Sequence, residues 1–419
     1  MNKERIYYCI DMKSFYASVE CAERGLNPME TNLVVADEKR GNGAICLAIS
    51  PKMKALGVKN RCRLFEIPKN MDYIIAMPRM KKYIEYAADI YSIYLQYISK
   101  DDIHVYSIDE MFIDATDYLK LYRLSAKEFA VKLMNEIAEK KGIPATCGIG
   151  TNLYLAKIAL DITAKHVPDH IGYLDEELFK KTLWRHRPLS DFWQISKGIS
   201  ARLAKLGIYD MEGIANCPEN LLYKQFGINA ELIIDHSFGR ESCTIADIKA
   251  YKGKSKSVSS SQILFEDYNF EKARLVIKEM ALNGCQEMMS RRLIASRVGI
   301  YVGYSKDCCP PTGGSVKTLQ NTAVYSIIEK YVTDLFDQTT QRDFPIRRLG
   351  INFSVLDECA EGYDLFTDYQ AVEKEKKAEQ AVLDIKNKFG KNAVIRGMDL
   401  QEGATAQIRN KLVGGHNGE

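Results

Sequence analysis

The stretch CIDMKSFYASVE, residues 9–20, decides how the N-terminal half of this chain is read. It closes an apolar run, Ile6, Tyr7, Tyr8, Cys9 and Ile10, with the aromatic and β-branched character of a buried strand. Asp11 ends that run, and two adjacent aromatics, Phe15 and Tyr16, follow. A carboxylate at the mouth of a core strand is costly unless a positive charge meets it.

The surrounding sequence alternates strand-like and helix-like segments as far as residue 165. A helical pattern runs over residues 80–98, and IHVYSIDEMFID (103–114) reads as two short strands about a turn. SAKEFAVKLMNEIAEKKG (125–142) is an amphipathic helix: Ser125 is its N-cap, Glu128 completes a capping box and Gly142 ends it. IPATCGIG (143–150) reads as another strand and TNLYLAKIALDITAK (151–165) as another helix, giving an α/β layer on a mixed or antiparallel sheet. From about 170 to 240 strand signals fade into short helices punctuated by Gly and Pro. YKGKSKSVSSSQ (251–262) reads as a Lys/Ser/Gly linker. A helix over 269–293 and a strand, helix, strand series to residue 356 then form a second, independent α+β module. The tail beyond holds an acidic-aromatic patch, EGYDLFTD (361–368), and a charged helix over 372–390.

A length of 419 residues leaves room for two to four domains. No apolar run approaches the roughly 18 residues of a membrane span, and the N-terminus reads as a strand rather than a signal peptide. Eleven cysteines without a C-x-x-C pair, Cys308 and Cys309 lying beside two prolines, suggest a reduced cytoplasmic setting. His166 and His170 are separated by Pro168, which argues against a shared helix face for zinc. Net charge is only +3, yet residues 249–306 carry eleven Lys/Arg against five Asp/Glu. Such a stretch suits a phosphate backbone, or simply a solvated basic face.

Asp109 and Glu110 occupy the SIDE turn. If the strand before Asp11 neighbours those flanking the turn, three carboxylates converge at one sheet edge. Such a cluster suits hard cations, Mg²⁺ above all, and a pair of ions serves an in-line nucleotidyl displacement. The plain alternative is that these residues only form turns and caps.

Four segments in order, IDMKSFYASVE, YSIDEMFID, CGIGTNLYLAKIALD and the later Lys/Gly hairpin, resemble the Y-family DNA polymerases over essentially the whole chain. The likeness is strongest to the UmuC-like branch of Gram-positive UV-resistance proteins. It implies an α+β multidomain fold, a right-handed polymerase: palm at 1–14 and 80–165, fingers at 15–79, helical thumb at 166–240, linker at 241–254, α+β little finger at 255–355 and a tail at 356–419.

The resemblance also implies roles. Asp11, Asp109 and Glu110 match the catalytic carboxylates that hold two Mg²⁺ ions, with the Met12 backbone carbonyl as a further ligand. Tyr16 matches the aromatic that clashes with a ribose 2′-hydroxyl, and Phe15 supports it or merely packs in the core. Lys157 and Lys54 match lysines that reach the incoming dNTP. Several relatives carry Tyr where Pro51 stands, and the second Asp of the common DMD pattern is Lys13 here. FWQISKGISARLAKLGI (192–208) resembles the helix-hairpin-helix, with Lys197 and Gly198 facing DNA, though Gln194 and Ser196 replace usual glycines. Lys254, Lys256, Arg291, Arg292 and Arg297 are the expected little-finger contacts to DNA. GYDLF (362–366) is a degenerate sliding-clamp peptide, with Leu365 and Phe366 as its anchors.

The expected function is low-fidelity translesion synthesis on primer-template DNA in SOS repair, without proofreading, by a cytoplasmic monomer free of membrane. Two other readings compete with it. A non-catalytic family member would lack part of the acidic set, which is intact. A nucleotidyl cyclase would need neither the hairpin nor the basic module.

Overall fold

The computed structural model describes residues 5–253, 256–306, 308–358 and 368–418. They fall into two units, Met1–Tyr251 and Lys252–Gly418. The strands of the first are β1 (Tyr7–Met12), β2 (Leu33–Val35), β3 (Ala48–Ile49), β4 (Ile74–Ala76), β5 (Ile103–Val105), β6 (Glu110–Asp114), β7 (Ala145–Gly150) and β8 (Ile171–Leu174).

The main sheet has the order β5-β6-β1-β7-β8. Its pairs are antiparallel except β7 with β8. β1 lies at the centre, which explains its unbroken apolar run: a strand covered on both faces has no polar side to show. Side chains alternate between the faces. Tyr8 meets Phe129 of the helix Ala126–Lys141 on one face. Tyr7 and Cys9 join Phe112, Leu153, Ala156 and Leu160 on the other. The helix Leu153–Ile158 lies unusually close to β7, because Gly148 and Gly150 present no side chain to it. A Cβ on Gly148 would stand 2.1 Å from the carbonyl oxygen of Ala156.

A smaller sheet, β3-β2-β4, encloses its own core of Val34, Ile49, Met53 and Leu64. Short helices from Glu176–Leu183 to Asn229–Ser237 gather around Phe179, Phe192 and Leu222.

The second unit contains β9 (Lys256–Tyr268), β10 (Leu293–Tyr304), β11 (Thr312–Thr322) and β12 (Ile346–Asp357), in the order β11-β10-β12-β9. The helices Phe270–Ser290 and Tyr325–Thr339 cover one face through Val298, Ile328, Phe336 and Phe353.

Several elements differ from the sequence reading. β8 lies beyond residue 165; four residues are too few to show a strand period. The expected helix over 151–165 ends as a helix at Ile158 and widens into a π-turn over Ala159–Thr163. The serines read as linker belong to β9: Ser259 pairs with Asn352 and Ser261 with Gly350. They face solvent, so no apolar alternation announces them. Residues 245–250, also within the expected linker, form a helix capped by Thr244 and Asp247, and Ile245 enters the core beside Cys9.

The tail likewise folds onto the second unit. Gln286 donates to Glu379 at 3.2 Å, and the buried Glu279 accepts from the N–H groups of Thr405 and Ala406. No helix among the described residues is long and apolar enough to cross a membrane, and every described cysteine is a free thiol.

Candidate active site

Register brings the carboxylates together. Asp11 stands directly across from Glu110 on β6 and from Thr146 on β7. The Met12 N–H donates to the carbonyl of Asp109 at 2.9 Å, which ties the end of β1 to the turn before β6. Ser107 Oγ donates to Asp109 Oδ1 at 2.6 Å. Burial pushes the Asp11 carboxyl up to about 7; the negative charges of Asp109 and Glu110 add to this, while Lys165 and Lys157 oppose it.

Glu110, 8% exposed, is turned toward protein donors. Lys157 Nζ lies 2.8 Å from both of its oxygens, and the Cys9 thiol donates to Oε1 at 3.0 Å. Lys157 also meets Asp161 at 3.0 Å, and Asp161 in turn meets Lys165 at 2.9 Å. Among the described residues no three His, Cys, Asp or Glu side chains already close around one point as a metal shell.

Lys157 is thus chiefly the counter-charge of Glu110, whereas the exposed Lys165 bears more strongly on Asp11 than Lys157 does and also bears on Lys54. Sequence reading passed over Lys165 because the π-turn alters the helical phase between the two. Lys54 lies in the helix Pro51–Ala55, which Ser50 caps and Pro51 opens; proline suits a first helical position, where its missing N–H costs nothing. Its charge bears on Asp11 and Asp109. Lys13 is half-buried, and desolvation with the nearby Lys54 charge lowers its ammonium to about 8.

Phe15 is a core residue. The half-buried Tyr16 stacks on Tyr83, with ring centroids 4.5 Å apart and planes at 17°. Tyr83 donates its hydroxyl to Glu20 at 2.8 Å, and Arg79 grips the same buried carboxylate at 2.9 and 2.8 Å. Burial alone would raise the Glu20 carboxyl, but hydrogen bonds from Arg79, Arg24 and Tyr83 hold it below its ordinary value. Tyr83, Arg79 and Glu20 carry no local sequence signal, since they meet only when two helices pack.

The expected nucleic-acid contacts fall in both units. Lys197 and Gly198 open the helix Lys197–Ala204, whose N-cap is Ser196. Gln194 adopts φ 69°, the left-handed conformation for which glycine is the usual choice. Arg297 stands on the open face of the second unit's sheet, across from Lys317, and donates to Ser315 Oγ at 3.2 Å. Arg348 lies over the Tyr301 ring on that face, 5.4 Å from its centroid. Sequence reading missed Lys317 and Arg348, which pairing register alone brings beside Arg297 and Tyr301. Lys256 pairs with Asp357 at 2.5 Å and Arg291 with Glu287 at 3.1 Å. Arg292 takes a left-handed turn conformation before β10. Lys254, Leu365 and Phe366 lie outside the described residues.

Comparison with known proteins adds an independent line. Residues 10–161 match the impB/mucB/samB family and residues 255–365 its C-terminal domain. The chain is 32% identical to UvrX of Bacillus subtilis (strain 168), whose name refers to UV-damage repair, over 97% of this chain and 96% of that protein. It is also 32% identical to DNA polymerase IV 2 of the same organism, over 99% of this chain and 100% of that one. A Y-family DNA polymerase chimera of Dbh and Dpo4 superposes with a TM-score of 0.64 at 20% identity, covering 83% of this chain and 98% of the chimera, a likeness of fold. With both of its modules matched and full-length relatives at this identity, the chain belongs to the impB/mucB/samB family, that of the Y-family DNA polymerases.

Proposed function

We propose that the chain extends DNA primers across damaged template positions, using Asp11, Asp109 and Glu110 as its catalytic carboxylates. The observation that carries this reading is the register that sets Asp11 across from Glu110 with Asp109 in the adjoining turn. The donor set fits Mg²⁺: hard oxygens in a site where burial and like charge already push Asp11 up to about 7. Mg²⁺ is commonly held by one or two carboxylates together with substrate phosphates, a need that Asp11, Asp109 and the Met12 carbonyl meet, with Glu110 alongside. Held by these residues, Mg²⁺ would supply the positive charge that activates a primer 3′-hydroxyl and offsets the charge of a leaving pyrophosphate.

The chain's own groups do the rest. Lys54, Lys165 and Lys13 supply positive charge for a triphosphate; Lys157 serves chiefly to balance Glu110. Tyr16, backed by Tyr83, serves in this reading as the check on the incoming sugar. The exposed face bearing Arg297, Lys317 and Arg348 holds the duplex backbone without reading sequence, and Lys197 and Gly198 add a phosphate contact from the first unit. The sliding clamp is the further partner proposed for residues 362–366.

Primer extension with Mg²⁺ and all four dNTPs tests the assignment. Wild type extends, while Asp109→Ala loses on the order of a thousandfold in rate and still binds primer-template. Equal extension by both would remove the carboxylate assignment.

A further inference from the structure

Glu110 is held in a seat that the family resemblance does not account for. An ionised carboxylate offers about four lone-pair sites, two on each oxygen. Lys157 Nζ reaches both oxygens at 2.8 Å and takes one site on each. The Cys9 thiol, 3.0 Å from Oε1, takes the second site on that oxygen. Among the described residues no other side chain donates to Glu110, so the one site left open is on Oε2.

Cys9 and Asp11 point to the same face of β1, and Glu110 lies directly across from Asp11, so the thiol reaches it along the diagonal. Cys9 is fully buried among Tyr7, Phe112 and Leu160, which fixes its donor direction. Its setting differs from that of other described cysteines: Cys147, Cys217, Cys243 and Cys309 each donate to the backbone carbonyl of the next residue. Among the described residues Cys9 alone donates to a carboxylate.

We infer that Cys9 is a positioning residue that, with Lys157, holds Glu110 as a one-toothed metal ligand through Oε2. This rests on the two-metal reading above. Groups that hydrogen-bond a metal-ligating carboxylate orient it and tune the ion it holds, and losing one typically weakens binding tenfold or more. Cys9→Ala and Cys9→Ser both remove the sulfur's bulk, but only serine keeps a donor. The comparison therefore isolates the hydrogen bond from the packing.

The test is Mn²⁺ binding, followed by electron paramagnetic resonance, to the full chain with a dideoxy-terminated primer-template and the matching dNTP, where no turnover occurs. Thermal melting and Mg²⁺-dependent extension are measured alongside. In Cys9→Ala the half-saturating Mn²⁺ rises roughly tenfold, Cys9→Ser recovers most of that affinity, and both variants melt together. Wild-type affinity in Cys9→Ala, or equal affinities in the Ala and Ser variants, overturns the inference while leaving the two-metal reading intact. Absence of saturable Mn²⁺ binding in wild type, with Asp109→Ala behaving identically, overturns both.

Discussion

The sugar check proposed for Tyr16 depends on a ring that cannot retreat. Tyr83 backs it, and Tyr83 is anchored by Glu20. Tyr16→Ala opens the space beneath the sugar, and ribonucleotide use should rise roughly a hundredfold, about what a pocket gains by excluding one hydroxyl; competing dNTP and rNTP insertion into one template site measures it. Glu20 itself sets a pH dependence. Its carboxyl is held below the ordinary value when folded, so its stabilising contribution is complete above about pH 4.5 and is lost as the pH falls through the lowered folded value. Glu20→Gln should therefore lower the unfolding free energy read from urea titrations at pH 7 by about 3 kcal/mol for a broken buried pair, and the gap from wild type should close in strong acid. Asp11, Asp109 and Glu110 were legible in the sequence, because a strand end and a turn fall at fixed offsets once neighbouring strands pair. Tyr83, Arg79 and Lys165 were not: the first two act through helix packing, and the third through a π-turn that no local pattern announces.

Among the elements, the helix Leu153–Ile158 bears directly on the carboxylates. It carries Lys157 to Glu110, and it can approach β7 only because Gly148 and Gly150 lack side chains. The obstacle to Gly148→Ala is backbone, the Ala156 carbonyl and the Leu160 amide, not a side-chain tip that can swing aside. The substitution should cost about 3 kcal/mol or more and reduce extension beyond what the unfolded fraction explains, read from thermal melts beside activity on the folded protein. Capped helices were readable in advance: Ser125, Glu128 and Gly142 occupy the positions assigned from sequence. The serine-rich start of β9 was not, since half of that strand faces water and its stability comes from pairing with β12. The helix at 245–250 was overlooked because six residues with one buried anchor resemble a linker until Ile245 meets its pocket.

For the whole molecule, an open sheet face bearing Arg297, Lys317 and Arg348 should bind duplex through counterion release. Arg297→Ala should weaken primer-template binding evenly across sequences and reduce the slope of log affinity against log salt by about one, as titrations at several salt concentrations would report. The helix at 245–250 has a consequence at this scale too. With that segment pinned into the first unit, the chain joining the units runs only from Lys252 to the start of β9 at Lys256. The four residue steps from Lys252 to Lys256 span at most about 14 Å. A tether so short keeps each module at an effective concentration near millimolar for the other's ligand. If both modules contact DNA as proposed, two individually weak grips would act as a chelate: when one lets go, the other would retain the DNA long enough for recapture, and residence time would be set by their simultaneous release.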